Sequence, residues 1–167
     1  ALVYDSTPEQ FRADLRRAQA AIESASGVRV RGYRAPSYSI TERSLWALDV
    51  LACEGYRFDS SIYPINHDRY GIPSWPRHVH RLARNAGALW ELPGSTIRRG
   101  GVNLPIGGGG YFRVLPYGWT QYGIRYLNEE EQRPHHVVHA RAQPDPDRPP
   151  RPPAREAPHG PARRPHR

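Results

Sequence analysis

Two successive units of the same kind limit what this chain can fold into: a capped helix, a glycine stop, a short strand, then a polar loop. Thr7-Pro8-Glu9-Gln10 is a strong helix start, with Thr7 as cap, Pro8 at the first helical position and Gln10 placed to complete a capping box. Phe11, Leu15, Ala18 and Ile22 then fall on one side of the helix and Arg12, Asp14, Arg16 and Arg17 on the other, and Gly27 supplies the stop. In Val28 to Tyr33 the alternation of Val28 and Val30 with Arg29 and Arg31 has the period of a half-buried strand. Thr41 caps a second helix running from Glu42 to about Cys53, with Leu45, Leu48 and Ala52 on its apolar face and Gly55 at its end; Tyr56-Arg57-Phe58 is its strand. Helix, strand, helix, strand implies an α/β domain with a parallel sheet and helical crossovers.

Each strand delivers polar side chains to a loop at its carboxyl end, the usual place for ligand and catalytic residues in α/β folds. The first brings Arg34 ahead of Pro36 and Ser37, and the second brings Asp59-Ser60-Ser61. The segment from Ile62 to Asn85 lacks clear periodicity and reads as a long ordered loop. Ala88 to Leu92 reads as a strand ended by Pro93, and Gly100 to Ile106 as a further strand. The glycines at 107–110 read as a flexible turn, and Pro116 as the opening of a last helix. Cys53 reads as an inert thiol on a buried helix face. His78 and His80 alternate and would point the same way on an extended segment, but no third metal ligand lies near them in sequence.

Composition divides the chain near residue 133. Of the net charge of +8, the tail at 133–167 contributes eight Arg against Asp145, Asp147 and Glu156, which is +5 and leaves only +3 for residues 1–132. That surplus is too small and too scattered to favour nucleic acid as a partner of the body. The tail also holds ten of the eighteen prolines and five of the eight histidines, a composition that cannot bury enough apolar surface to fold, so disorder is expected there. Arg, Pro, Ala and His dominance is also what a GC-rich gene yields when read out of frame, which suggests a frameshift origin for part of the tail. No run of eighteen apolar residues occurs, so no membrane span is expected.

Several blocks in order resemble the polysaccharide deacetylases of carbohydrate esterase family four, in particular the bacterial subgroup associated with exopolysaccharide and exosortase genes. They are Leu2-Val3-Tyr4-Asp5, Arg31-Gly32-Tyr33-Arg34-Ala35-Pro36-Ser37-Tyr38, Gly55-Tyr56-Arg57-Phe58-Asp59-Ser60-Ser61-Ile62-Tyr63-Pro64, His67-Asp68-Arg69-Tyr70-Gly71-Ile72-Pro73 and Gly108-Gly109-Gly110-Tyr111-Phe112-Arg113, and they span nearly all of residues 1–132. The resemblance implies a partial, distorted β/α barrel that hydrolyses N-acetyl groups of an amino-sugar polysaccharide with a divalent metal, zinc or similar. The family's metal-binding and base motifs would precede Leu2, so their ligands are not expected in this chain, and the chain alone is expected to be inactive. Arg34 would orient the missing base, Asp59 would hold Arg34 as a bidentate partner, against an equal reading in which it caps its own turn with Ser60 and Ser61, and Pro36 with Ser37 would shape the oxyanion loop. His139, in Val137-Val138-His139, matches the family's last motif, although Ala140-Arg141 replaces the Pro-Trp that follows it there. A reading of a different class is a non-enzymatic basic protein whose Arg-rich tail binds an anionic polymer.

Overall fold

The computed structural model describes residues 1–131. The expectations for His139 and for the tail at 133–167, its disorder, its frameshift origin and its anionic partner, fall outside the described residues.

Helix α1 (Pro8–Ser26) begins where the local chemistry demands. The Gln10 backbone N–H donates to Thr7 Oγ1 at 3.3 Å and the Thr7 N–H donates to Gln10 Oε1 at 2.9 Å, so two amides without helical partners satisfy each other's side chains. At the other end Gly27 takes a left-handed conformation (φ +68°) and donates to the Glu23 carbonyl. Only Phe11 and Leu15 are buried on this helix, whereas Ala18 and Ile22 are exposed, so the apolar stripe covers the core with its first two turns. Phe11 meets Tyr33 and Trp46 edge-on at 5.5 and 5.8 Å, which seats α1 on the sheet and on the following helix.

Strand β1 is only Gly32–Tyr33, shorter than Val28–Tyr33. Val28 is 66% exposed, because β1 lies at the sheet's edge and the chain before it has no neighbouring strand to cover it. The second helix is likewise shorter. Thr41 caps a single 3-10 turn, Glu42–Ser44, and α2 proper runs Trp46–Cys53 with Ala47, Leu48, Val50 and Leu51 buried. Cys53 is exposed rather than buried, at the last position of α2, where the helix ends.

Strand β2 (Phe58–Asp59) pairs parallel with β1, as the helix–strand order requires. The expected loop Ile62–Asn85 contains a strand, β3 (His80–Arg84), antiparallel to β4 (Gly87–Glu91), which in turn pairs parallel with β2. The sheet order is β1-β2-β4-β3, with α2 packed on β4. Beyond it, β5 (Thr96–Arg99) and β6 (Val102–Pro105) form a hairpin where a single strand was expected. Gly100 and Gly101 both have positive φ, +55° and +78°, as a two-residue turn that follows the strands' twist requires. Thus the barrel expectation is represented among the described residues by an open mixed α/β sheet and a hairpin.

The glycines expected as a flexible turn instead lead into a short helix, α3 (Gly109–Val114). The final helix, α4 (Tyr117–Glu131), follows Pro116 as the sequence suggests. It docks on β6 through the Trp119 indole, which donates to the Pro105 carbonyl at 2.9 Å, and through Gly123, which Ile106 abuts. Arg77, almost fully buried, crosses from the loop to donate to the Thr96 carbonyl and to Glu130, both at 2.8 Å. No helix among the described residues is long and apolar enough to cross a membrane.

Candidate functional site

The three parallel strands end side by side. Register pairs Tyr33 with Asp59 and Asp59 with Glu91, so the residues at and just after these positions form one row: Arg34 beyond β1, Asp59-Ser60-Ser61 at β2, Glu91-Leu92 at β4. Arg34 and Asp59 therefore do meet at one end of one sheet. Their bond differs from the expected bidentate pair. Arg34 Nη2 donates to Ser60 Oγ at 2.5 Å, and Ser60 Oγ donates on to the Leu92 carbonyl at 2.6 Å. Alternation along the strand explains the difference: Asp59 points inward and is 1% exposed, while Ser60, one residue later, points to the solvent side where the Arg34 guanidinium lies.

Asp59 is occupied by its own loop. Its carboxylate accepts the Ser61 N–H at 3.1 Å and the Ser61 hydroxyl at 2.5 Å. The same hydroxyl accepts the buried Ala35 N–H at 2.8 Å, so the loop after β2 clamps the loop that carries Arg34. Pro36 and Ser37 follow at the surface. Ser37 and Tyr38 both adopt left-handed backbone conformations, φ +52° and +53°, unusual for two consecutive non-glycine residues and held by surrounding contacts. Tyr38 lies between the Arg34 guanidinium, 5.7 Å from its ring centroid, and Tyr63, 4.8 Å away. Ser39 Oγ accepts the Val3 N–H at 3.1 Å beneath the loop.

Glu91 was not singled out from the sequence, although Leu89 and Glu91 share a strand face and Leu89 is a core residue. That pattern is the signal. Glu91 is fully buried, and its Oε1 accepts only the Ile62 N–H, at 3.4 Å. Burial pushes its carboxyl up to about 9, and the neighbouring Asp59 adds to the rise. Asp59 is itself pushed up by burial, against the opposing hydrogen bonds from Glu91, Ser61 and Ser60.

A cavity of about 470 Å³ opens beside the Arg34 loop, lined by Leu2, Tyr4, Ser37 and the loop His67–Tyr70. The His67 ring stacks on Tyr70 at 3.9 Å. Of the aromatic residues at the strand and helix ends, Phe112 is exposed, while Trp90, Tyr111 and Trp119 are half-buried. His80 Nδ1 is engaged with the His78 carbonyl at 2.8 Å rather than free for a metal. Among the described residues no group of three or more His, Cys, Asp or Glu is arranged to hold a metal ion, so these residues do not fit the metal that the resemblance implies.

Fold and site together define a mixed α/β protein with a charged cluster at the carboxyl ends of its parallel strands. Residues 60–157 match the family described as a domain of unknown function, DUF3473, and the chain belongs to that family. It is also similar to the crystal structure of a candidate polysaccharide deacetylase from Mycobacterium smegmatis, with TM-score 0.44 and 22% identity, over 72% of this chain and 42% of that one. The chain thus spans under half the length of that protein. Among curated proteins none matches.

Proposed function

We propose that this chain forms the supporting part of the active site of a metal-dependent polysaccharide deacetylase, one that hydrolyses N-acetyl groups of an amino-sugar polymer in bacterial exopolysaccharide metabolism. The observation that carries the reading is the row Arg34, Ser60, Asp59, Glu91, which occupies the carboxyl ends of three adjacent parallel strands and comes from the same sequence blocks that resemble the family. In this reaction water adds to the acetyl carbonyl, the C–N bond breaks, acetate leaves, and the sugar amine takes a proton. A base must be kept ionised and aimed at that water. Arg34, exposed on the solvent side of the strand ends and anchored by Ser60 and Tyr38, supplies a fixed cation for that purpose. The left-handed Ser37 and Tyr38 shape the loop beside it.

The metal ligands and the base belong, in this reading, to a segment of barrel preceding Leu2. His139 would be the proton donor to the leaving amine. Purified 167-residue chain should then release no acetate from N-acetylated amino-sugar oligomers with zinc or other divalent ions present. Metal-dependent release by this chain would overturn the division of the site.

A further inference from the structure

Glu91 is the least explained charged residue in the fold. Register sets it beside Asp59 on the same inward face of a parallel strand pair, and both side chains are buried. As a carboxylate, Glu91 leaves Oε2 buried with no partner among the described residues, where Oε1 has only the long contact from Ile62. Such an orphaned, desolvated charge next to a second carboxylate is a costly arrangement, because two adjacent buried carboxylates cannot both ionise without a compensating cation. Arg34 does not fill that role, since its guanidinium is held by Ser60 and Tyr38.

We propose that Glu91 is a positioning residue that holds a proton at neutral pH, donating it to Asp59 and so fixing, through Asp59 and Ser61, the loop that carries Arg34. The proton sits on Glu91 and the charge on Asp59, because Asp59 already accepts two hydrogen bonds from Ser61 and Glu91 accepts only one. With the proton in place the relay runs from the Glu91 carboxyl to Asp59, which register sets beside it, and on through the Ser61 hydroxyl to the Ala35 N–H, one residue past Arg34. Its surroundings suit a neutral acid. From β3, His80 stands opposite Glu91 in register with its Nδ1 engaged by His78. Beyond β1, the Arg34 charge acts on Glu91 more weakly than burial and Asp59 do, and α2 covers β4 with buried Ala47, Leu48 and Leu51. On α2, Asp49 pairs with Arg84, at the opposite end of β3 from His80. This holds whatever reaction the protein performs, so its failure would leave the deacetylase reading standing, and the converse.

Infrared difference spectroscopy and amide hydrogen exchange on the 167-residue chain test it. At pH 7 the wild type is expected to show a protonated-carboxyl C=O band that Glu91→Gln removes. Because the glutamine amide can still donate to Asp59, Glu91→Gln should keep the Ala35 amide protected to within about threefold of wild type, and Glu91→Leu should lower that protection by about tenfold or more. Above Glu91's titration, the wild type should lose Ala35 protection while Glu91→Gln keeps it. Absence of the carboxyl band, or a Glu91→Gln protein that loses Ala35 protection at pH 7, overturns the proposal. Those two readouts decide the matter even if Glu91→Leu does not fold.

Discussion

Ser61 is the joint between the two loops of the site, and Ser61→Ala measures what that joint contributes. The hydroxyl donates to the Asp59 carboxylate at 2.5 Å and accepts the Ala35 N–H at 2.8 Å, and all three residues are buried. Alanine removes one hydrogen bond to a charged group, typically about 1.5–3 kcal/mol, and strands a buried N–H, about 1–3 kcal/mol. The two losses share one atom and overlap, and Asp59 keeps the Ser61 N–H. The expected destabilisation is therefore on the order of 2–5 kcal/mol, a large share of the roughly 5–15 kcal/mol that holds such a domain together. Urea unfolding followed by tryptophan fluorescence reads it as a fall in midpoint at unchanged slope. Ser60→Ala is the control: Ser60 bonds Arg34 and the Leu92 carbonyl on the solvent side, where water can replace both partners, so about 1 kcal/mol or less is expected. A Ser61→Ala loss below about 0.5 kcal/mol, or one no larger than that of Ser60→Ala, would refute the reasoning.

Stability should depend on pH through Glu91, whose carboxyl is raised from 4.5 to about 9 in the folded chain. A group raised in this way contributes stability that is fully present below pH 4.5 and is lost as pH rises through about 9, so the wild-type urea midpoint should fall relative to Glu91→Gln across that window; parallel curves would contradict it. Gly94→Ala would place a Cβ 2.4 Å from the ring of Tyr63, which is buried and donates to the Gly107 carbonyl, and should cost about 1–3 kcal/mol or more by thermal unfolding. Arg77→Ala should destabilise by about 1.5–3 kcal/mol, because it removes a nearly buried guanidinium's charge-assisted bonds to Glu130 and its bond to the Thr96 carbonyl, and should make α4 the first site of limited proteolysis.

What was legible in the sequence was the chemistry that acts between near neighbours. The Thr7 capping box and the Gly27 stop are each complete within a few residues, and the structure reproduces them, whereas Thr41 starts only a 3-10 turn. The parallel pairing of β1 with β2 followed from the helical crossover. Strand length did not, because the cover over Val28 depends on which strand lies beside it, and β1 has a partner on one side only. Strand β3 was hidden for a related reason: His80-Arg81-Leu82-Ala83-Arg84 is an edge strand with few apolar residues, held by its ladder to β4 rather than by burial. The Gly100-Gly101 turn was an available hairpin signal, but without the apolar run that usually flanks it.

The place of the Arg34 cluster was legible to within one residue. Sequence order brought Arg34 and Asp59 to the same place, yet which of Asp59 and Ser60 faces the guanidinium is a matter of strand parity that only the folded register fixes. Glu91 was hidden inside an apolar run, where one charged residue reads as an exposed position. Its burial becomes sensible only when Asp59 stands beside it.

The central claim is that Arg34 and its clamp serve a deacetylase base supplied by a preceding segment. Acetate release from N-acetylated amino-sugar oligomers, measured side by side on this chain, on the product of the continuous reading frame that includes upstream sequence, and on that product carrying Arg34→Ala, tests it most directly. No release is expected from this chain, metal-dependent release from the longer product, and a loss of about a hundredfold or more in kcat with Arg34→Ala. Release by this chain alone, or an Arg34→Ala protein as active as its parent, would contradict it.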